Sequence, residues 1–473
     1  MTTRLTRAFS VAAAGAIAGA ALHAQGRGSS EWTTSGFDAQ RTGWIRTDPR
    51  ISLATMQKPG EFGPFKSLWK LKLERDPQAP TTLTQPILLD RLIGFRGFKS
   101  IAFVGTASET VHAIDTDFGV PLWKYHINYS ASPPPVLGGP VACPGGLTAA
   151  LSRPTSIASS TGGVGFGGGR GAGSGGGVGE PGRGATTLVT VGRGRGASAA
   201  PPPAPMPAAT VPGSAAAAAG AVPGGLPGGA RAGGPGGGGA AFAPGDDAAY
   251  VVGSDGYLHA LNVSNGWDNM TPALFLPANT RALGLIITGG TAAVGPVAYT
   301  VTTHGCGSQP DAVWAMDLAS PQKTVAAFKA GGATIAGATG PTLGRDGTVY
   351  VTTTDGSAPL SSSLIALEPG TLKLKASVAV PKAGFGSSPL VFQWNDRDAI
   401  VAAGGGKLFV FDSAMLQAGP IASVPVAGAA AEAGALASWI DSQGMRWIAV
   451  PSDRAIATFK LVEQGGALTL QPG

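Results

Sequence analysis

Short runs of β-branched and apolar residues, bounded by Gly, Pro, Asp or Asn, recur along the chain. Ile101-Ala-Phe-Val-Gly-Thr106 is followed by Thr110-Val-His-Ala-Ile-Asp115 and then by Pro121-Leu-Trp-Lys-Tyr125. Runs of this length with this punctuation predict strands joined by tight turns. The first two runs return at Ala249–Ser254 and Tyr257–Asn262, at Val297–Thr302 and Ala312–Asp317, and at Thr348–Thr353 and Ser363–Glu368. They return again at Ala399–Gly404 and Lys407–Asp412, and at Arg446–Pro451 and Arg454–Phe459.

The equivalent positions are Ala113, Ala260, Ala315, Ala366, Val410 and Ala457, at spacings of 147, 55, 51, 44 and 47 residues. Several units also have an earlier strand, at Pro86–Asp90, Pro341–Gly347, Pro389–Asp396 and Leu436–Asp441. Four strands in a period of this size predict an all-β fold, a β-propeller of about six to seven four-stranded blades. Long Val, Ile and Thr runs would leave sticky edges in an open sheet, and a ring of small blades shortens them.

The spacing of 147 has a compositional cause. Of the 75 glycines, 30 fall within residues 156–245, a block of 90 positions that also holds Pro-Pro-Pro-Ala-Pro and the run Ala215–Ala219. Such a block buries too little apolar surface to offset its ordering entropy and reads as a disordered insertion. Thr186-Thr-Leu-Val-Thr-Val191 is the one strand-like stretch in it. Without the 90 residues the spacing becomes 57, close to the rest.

Charge localises in the same way. The net +6 is accounted for by Arg4 and Arg7 in the first 24 residues and by Arg170, Arg183, Arg193, Arg195 and Arg231 against Glu180 in the insertion. The remaining chain is neutral, so the basic pI does not point to nucleic acid. Residues 1–24 read as a secretory signal: two arginines, an apolar run Ala8–Leu22, and Leu22-His23-Ala24 before Gln25. An uncleaved N-terminal anchor is the alternative. No later segment has 18 uninterrupted apolar residues, so no membrane span is expected in the mature chain. The layout is then 1–24 signal, 25–155 lead-in with the first blade and the start of the second, 156–245 insertion, and 246–473 the remaining blades. The protein is expected to be exported, to the periplasm or the extracellular space. There Cys143 and Cys306 are left open between a mutual disulfide and two separate thiols.

The units resemble the repeats of the pyrroloquinoline quinone (PQQ) propeller family, the quinoprotein alcohol dehydrogenase-like superfamily. Its repeat has Ala-x-Asp-x-x-Thr-Gly with a Trp four residues on. Here Ala113-Ile-Asp115-Thr-Asp-Phe118-Gly119-Val-Pro-Leu-Trp123 departs only at Phe118. Ala260-Leu-Asn262 with Gly266, Ala315-Met-Asp317 and Ala366-Leu-Glu368 are weaker copies. Gly36-Phe-Asp-Ala-Gln-Arg-Thr-Gly43 and Leu68-Trp69-Lys70 are similar to the family's lead-in. In the repeat, Gly permits a tight hairpin and Trp123 is expected to fill the wedge between blades. Ser67–Leu73 looks like a donated outer strand, while Ala467–Leu470 gives the sixth unit one of its own. A truncated chain or an irregular ring is therefore expected.

The resemblance implies PQQ with Ca²⁺ for the family's enzymes, held over a Trp, commonly under a disulfide of adjacent cysteines, with an Asp as base. This chain has no adjacent cysteine pair, and no segment matches the metal or base context. No catalytic, cofactor-binding or metal residue is assigned. His112 and His259 share a register that is apolar in the other copies and read as packing positions. His304 near Cys306 does not complete a zinc site. Asp255-Gly256 and Asp346-Gly347 read as hairpin turns. The expectation is a binding or scaffold propeller with an unidentified protein or small molecule at its funnel, and a PQQ-dependent dehydrogenase acting on an alcohol or sugar as the alternative.

Overall fold

The computed structural model describes residues 31–45, 67–73, 83–94, 97–129, 143, 145–155, 157, 247–289, 295–394, 396–426, 434–452, 455–464 and 467–473. The six repeats fold as six sheets, each an antiparallel meander, and form a multi-blade β-propeller. The sheets lie in the unit made of Met1–Gly169 and Ala240–Gly473. The signal segment, most of the insertion with Thr186–Val191, and its arginines lie outside the described residues.

Blade one runs Ile87–Gly94, Gly97–Gly105, Thr110–Asp115, Val120–His126. Blade four runs Thr342–Leu343, Val349–Thr352, Ser363–Leu367, Leu374–Ala379. Blade five runs Leu390–Trp394, Arg397–Gly404, Lys407–Asp412, Ala422–Pro425, and blade six Ala437–Ile440, Arg446–Pro451, Ile456–Gln464, Ala467–Pro472. Blade three runs Ala282–Thr288, Val297–Thr302, Ala312–Asp317, Val325–Lys329, with Pro154–Thr155 added in parallel to its first strand. Blade two has Ala248–Val252, Tyr257–Asn262 and Ala273–Leu274. Its inner edge comes from before the insertion: Ser152 bridges Tyr250. The insertion therefore separates the first and second strands of blade two.

The repeat residues are structural. Ala113, Ala260, Ala315 and Ala366 are buried. The acid or amide two residues on closes the hairpin. Asp115 Oδ1 accepts from Asp117 N at 3.0 Å, Asn262 Oδ1 from Ser264 N at 2.9 Å, and Asp317 Oδ1 from Ala319 N at 2.8 Å. Glu368 instead accepts from the Thr371 hydroxyl at 3.1 Å. Trp123 crosses to the next blade, where its indole Nε1 donates to Val263 O at 3.0 Å and its ring lies on Gly266. A Cβ on Gly266 would stand 2.5 Å from that ring, and its φ is +75°.

Trp69 repeats this contact one step earlier. Its Nε1 donates to Thr116 O at 2.8 Å, and its ring lies on Gly119. Ser67–Leu73 thus occupies the outer-strand position of a blade preceding blade one, with Leu71 and Leu73 on Ala102, Val104 and Ile114. It pairs in no ladder among the described residues. Apolar clusters join blades one to two, two to three, three to four, four to five and five to six. Among the described residues no such cluster joins six to one. The second strand of blade five is buried from Asp398 to Gly404, whereas that of blade six alternates between buried and half-buried. One face of blade six therefore has no covering blade among the described residues.

Candidate functional site

The lead-in runs through the centre of the ring. Trp32 exchanges both backbone bonds with Leu88 of blade one, at 3.1 and 2.8 Å. Thr33 O accepts from Arg153 N at the inner edge of blade two, at 2.7 Å. The Thr34 hydroxyl donates to Leu285 O of blade three at 2.6 Å. Ala39 O accepts from Leu343 N of blade four at 2.8 Å, Gln40 O from Val391 N of blade five at 3.0 Å, and Thr42 O from Ser438 N of blade six at 2.8 Å. Eleven residues of lead-in, Trp32–Thr42, touch the inner edges of six blades in chain order.

Arg41 is the centre of this hub. It is 2% exposed. Its Nε donates to Pro341 O at 3.0 Å, Nη1 to the Thr34 hydroxyl at 2.9 Å and to Ser35 O, and Nη2 to Gly284 O at 3.2 Å. Burial pulls its pKa down to about 9, against the opposing pull of Asp38. Asp38 is itself engaged by Thr42, whose N lies at 2.9 Å and hydroxyl at 2.7 Å. The charged groups that the lead-in brings to the axis are therefore committed to holding the ring. A flat quinone on the axis at this level would have to displace that backbone, so the described residues of this hub do not fit PQQ there.

A second polar set lies at the junction of blades one and two, on the face that carries the loops between second and third strands. Glu109 is 7% exposed and has a φ of +56°. Ser254 N donates to its Oε2 at 3.3 Å. Burial pushes its pKa up to about 7, with the Ser254 bonds pulling the other way. His259 is buried between two acids, with Nδ1 at 3.4 Å from Asp268 Oδ2 and Nε2 at 3.6 Å from Asp255 Oδ2. Burial lowers the His259 pKa, but Asp255 and Asp268 outweigh it and the net shift is upward. The Tyr125 hydroxyl donates to Asp268 Oδ2 at 2.8 Å. His259 Nε2 and Asp268 Oδ1 are buried without a hydrogen-bond partner. This set can hold a proton near neutral pH.

His259 is thus not an ordinary packing residue. Its register is apolar in most repeats, and the structure turns it toward the Asp255 turn and Asp268. Asp255 keeps its turn role as well, accepting from Tyr257 N at 3.0 Å. Asp346 does likewise with Thr348 N at 3.0 Å. His304 is exposed beside Cys306. Among the described residues no three His, Cys, Asp or Glu side chains are placed to hold a metal ion. Cys143 and Cys306 are bonded to each other, with Cα atoms 5.3 Å apart. The bond ties the loop after blade one to blade three. No described helix is long and apolar enough to cross a membrane.

No family model matches the chain, and no curated protein matches it. Among solved structures it is similar to a quinohemoprotein alcohol dehydrogenase from Comamonas testosteroni, at a TM-score of 0.44 and 12% identity over 93% of this chain. It is also similar to the dihydro-heme d1 dehydrogenase NirN in complex with DHE, at 0.37 and 12% over 88% of this chain. The chain spans 66% of the length of the first and 57% of the second.

Proposed function

We infer that the protein is an exported β-propeller acting as a binding or scaffold module, not a PQQ-dependent dehydrogenase. The observation that carries this reading is the lead-in itself. Its backbone and the Arg41 guanidinium occupy the ring centre, where a flat quinone would have to displace them. The loops between second and third strands that cover the buried Glu109 and His259 junction are the remaining candidate surface for a ligand. Export is supported by the residue 1–24 pattern and by the Cys143–Cys306 bond, which belongs to an oxidising compartment.

The test is direct. Purified protein is titrated with PQQ and Ca²⁺, and dye reduction is followed with alcohols and sugars. Neither stoichiometric PQQ binding nor turnover is expected. Stoichiometric binding with turnover would establish the dehydrogenase and overturn the scaffold reading.

A further inference from the structure

The Cys143–Cys306 bond joins loops, not strands. Cys143 lies in the loop after blade one, and Cys306 opens the turn Cys306–Ser308 between the second and third strands of blade three. No described strand of the six sheets carries either cysteine.

What the bond closes is a cap over the junction of blades one and two. Beyond Cys143, Gly146 lies too close to the Ala107 carbonyl to carry any side chain. Leu147 N donates to Thr106 O at 3.2 Å, and Gly146 O accepts from the Ser254 hydroxyl at 3.4 Å. The Thr148 hydroxyl donates to Ala282 O of blade three at 2.6 Å. From the other side, Gly307 lies against Ala278 and Asn279, and Asn279 N donates to Ser254 O at 2.8 Å. Ser254 is thus held from both ends of the cap, and its own N donates to the buried Glu109 carboxylate. These loops also hold strain. Glu109, Asn279, His304 and Ser308 have left-handed backbones, with φ from +56° to +65°. Such residues persist where their surroundings over-determine them, and they gather in switch regions. Breaking the bond removes the covalent part of that constraint and leaves the strand ladders intact.

We propose that the Cys143–Cys306 bond is a redox clasp: closed, it keeps water from Glu109, and opened by a dithiol, it frees the cap and exposes that carboxyl. Cys143 is half-buried and Cys306 is buried, so the attack falls on Cys143. A reductant thiolate bonds to the Cys143 sulfur and Cys306 leaves as a thiolate. The reductant's second thiol then displaces Cys143. The reductant ends as a disulfide, and the protein gains two electrons and two protons.

The full-length protein is treated with dithiothreitol at neutral pH without denaturant, and the freed thiols are counted by alkylation. Amide exchange at Leu147, Ser254 and Asn279 is expected to quicken at least about tenfold, while the blade-five strands Arg397–Gly404 and Lys407–Asp412 stay within about twofold. Carbodiimide with an amine should label Glu109 in the reduced protein only, and reoxidation should restore protection. Cys143→Ala should behave as the reduced form without any reductant. A bond that resists dithiothreitol in the folded protein overturns the proposal. So do unchanged exchange and labelling once both thiols are free. Exchange that quickens in all six blades together makes the bond a brace of the ring and overturns it too.

Discussion

Replacing Arg41 tests whether the lead-in holds the ring. Arg41→Met keeps most of the volume and removes every donor. Pro341 O, Gly284 O and Ser35 O then lose their partner in a dry site, at about 1–3 kcal/mol each. Removing the buried charge returns its desolvation cost, several kcal/mol, which shows as the pKa pulled to about 9. Breaking one side of a buried charged network ordinarily leaves a net loss of about 3–5 kcal/mol. At about 2 °C per kcal/mol for a chain of this size, the thermal midpoint should fall about 6–10 °C. Arg41→Lys should recover little, because one ammonium cannot span acceptors on the two sides of a planar fork. Hydrogen exchange gives a second readout. Protection should drop in the first strands of all six blades together, since the hub touches each. A shift below about 2 °C, full rescue by lysine, or exchange that changes in one blade alone would refute the reasoning.

Gly266→Ala should cost about 2–4 kcal/mol, from a Cβ 2.5 Å from the Trp123 ring and from a φ of +75°. Gly331→Ala has similar backbone strain, with a φ of +65°, but open space around it, and should cost only about 1 kcal/mol; denaturant melts of the pair separate clash from strain. Glu109, with its pKa raised from 4.5 to about 7, binds a proton on folding between those values, so its contribution falls as pH rises through that window. His259, raised from 6.5, contributes fully below that value and loses its contribution as pH rises through the folded pKa. The thermal midpoint should therefore fall from pH 5 to pH 8, and Glu109→Gln should flatten the acidic part; a midpoint rising over that range would contradict both assignments. Cys143→Ser should cost up to about 4–5 kcal/mol, and the unfolded, unreduced wild type should show no titratable thiol; two free thiols would exclude the bond.

The blades were legible because their signal is local. A strand, a Gly or Asp turn and a second strand ending in Ala-x-Asp fit within about fifteen residues, and Asp115, Asn262 and Asp317 act within their own hairpins. Trp123 was legible for a related reason: a large flat residue four positions after the hairpin Gly can reach the next hairpin Gly. The start of blade two before the insertion was legible from the spacing, but the residue forming its inner edge was not, since Ser152 and its partner Tyr250 lie on opposite sides of the insertion. The hub was invisible. A single arginine in a polar stretch reads as surface, and its acceptors at Gly284 and Pro341 are 243 and 300 residues away. The same holds for His259, whose neighbours Asp268 and Tyr125 reach it from a following turn and from another blade. Its register pointed to packing because a majority of copies are apolar, and a majority hides the copies that differ.

The lead-in also bears on the order in which the molecule assembles. A chain that emerges N-terminus first presents Trp32–Thr42 before any blade exists. Each later meander then finds a docking strand already in place, in the order in which the blades are made. The entropy of bringing distant first strands together is spread over six small steps in place of one long closure. A circular permutant that delivers residues 31–43 last must build six sheets around an empty axis, and should refold slowly and aggregate on the way.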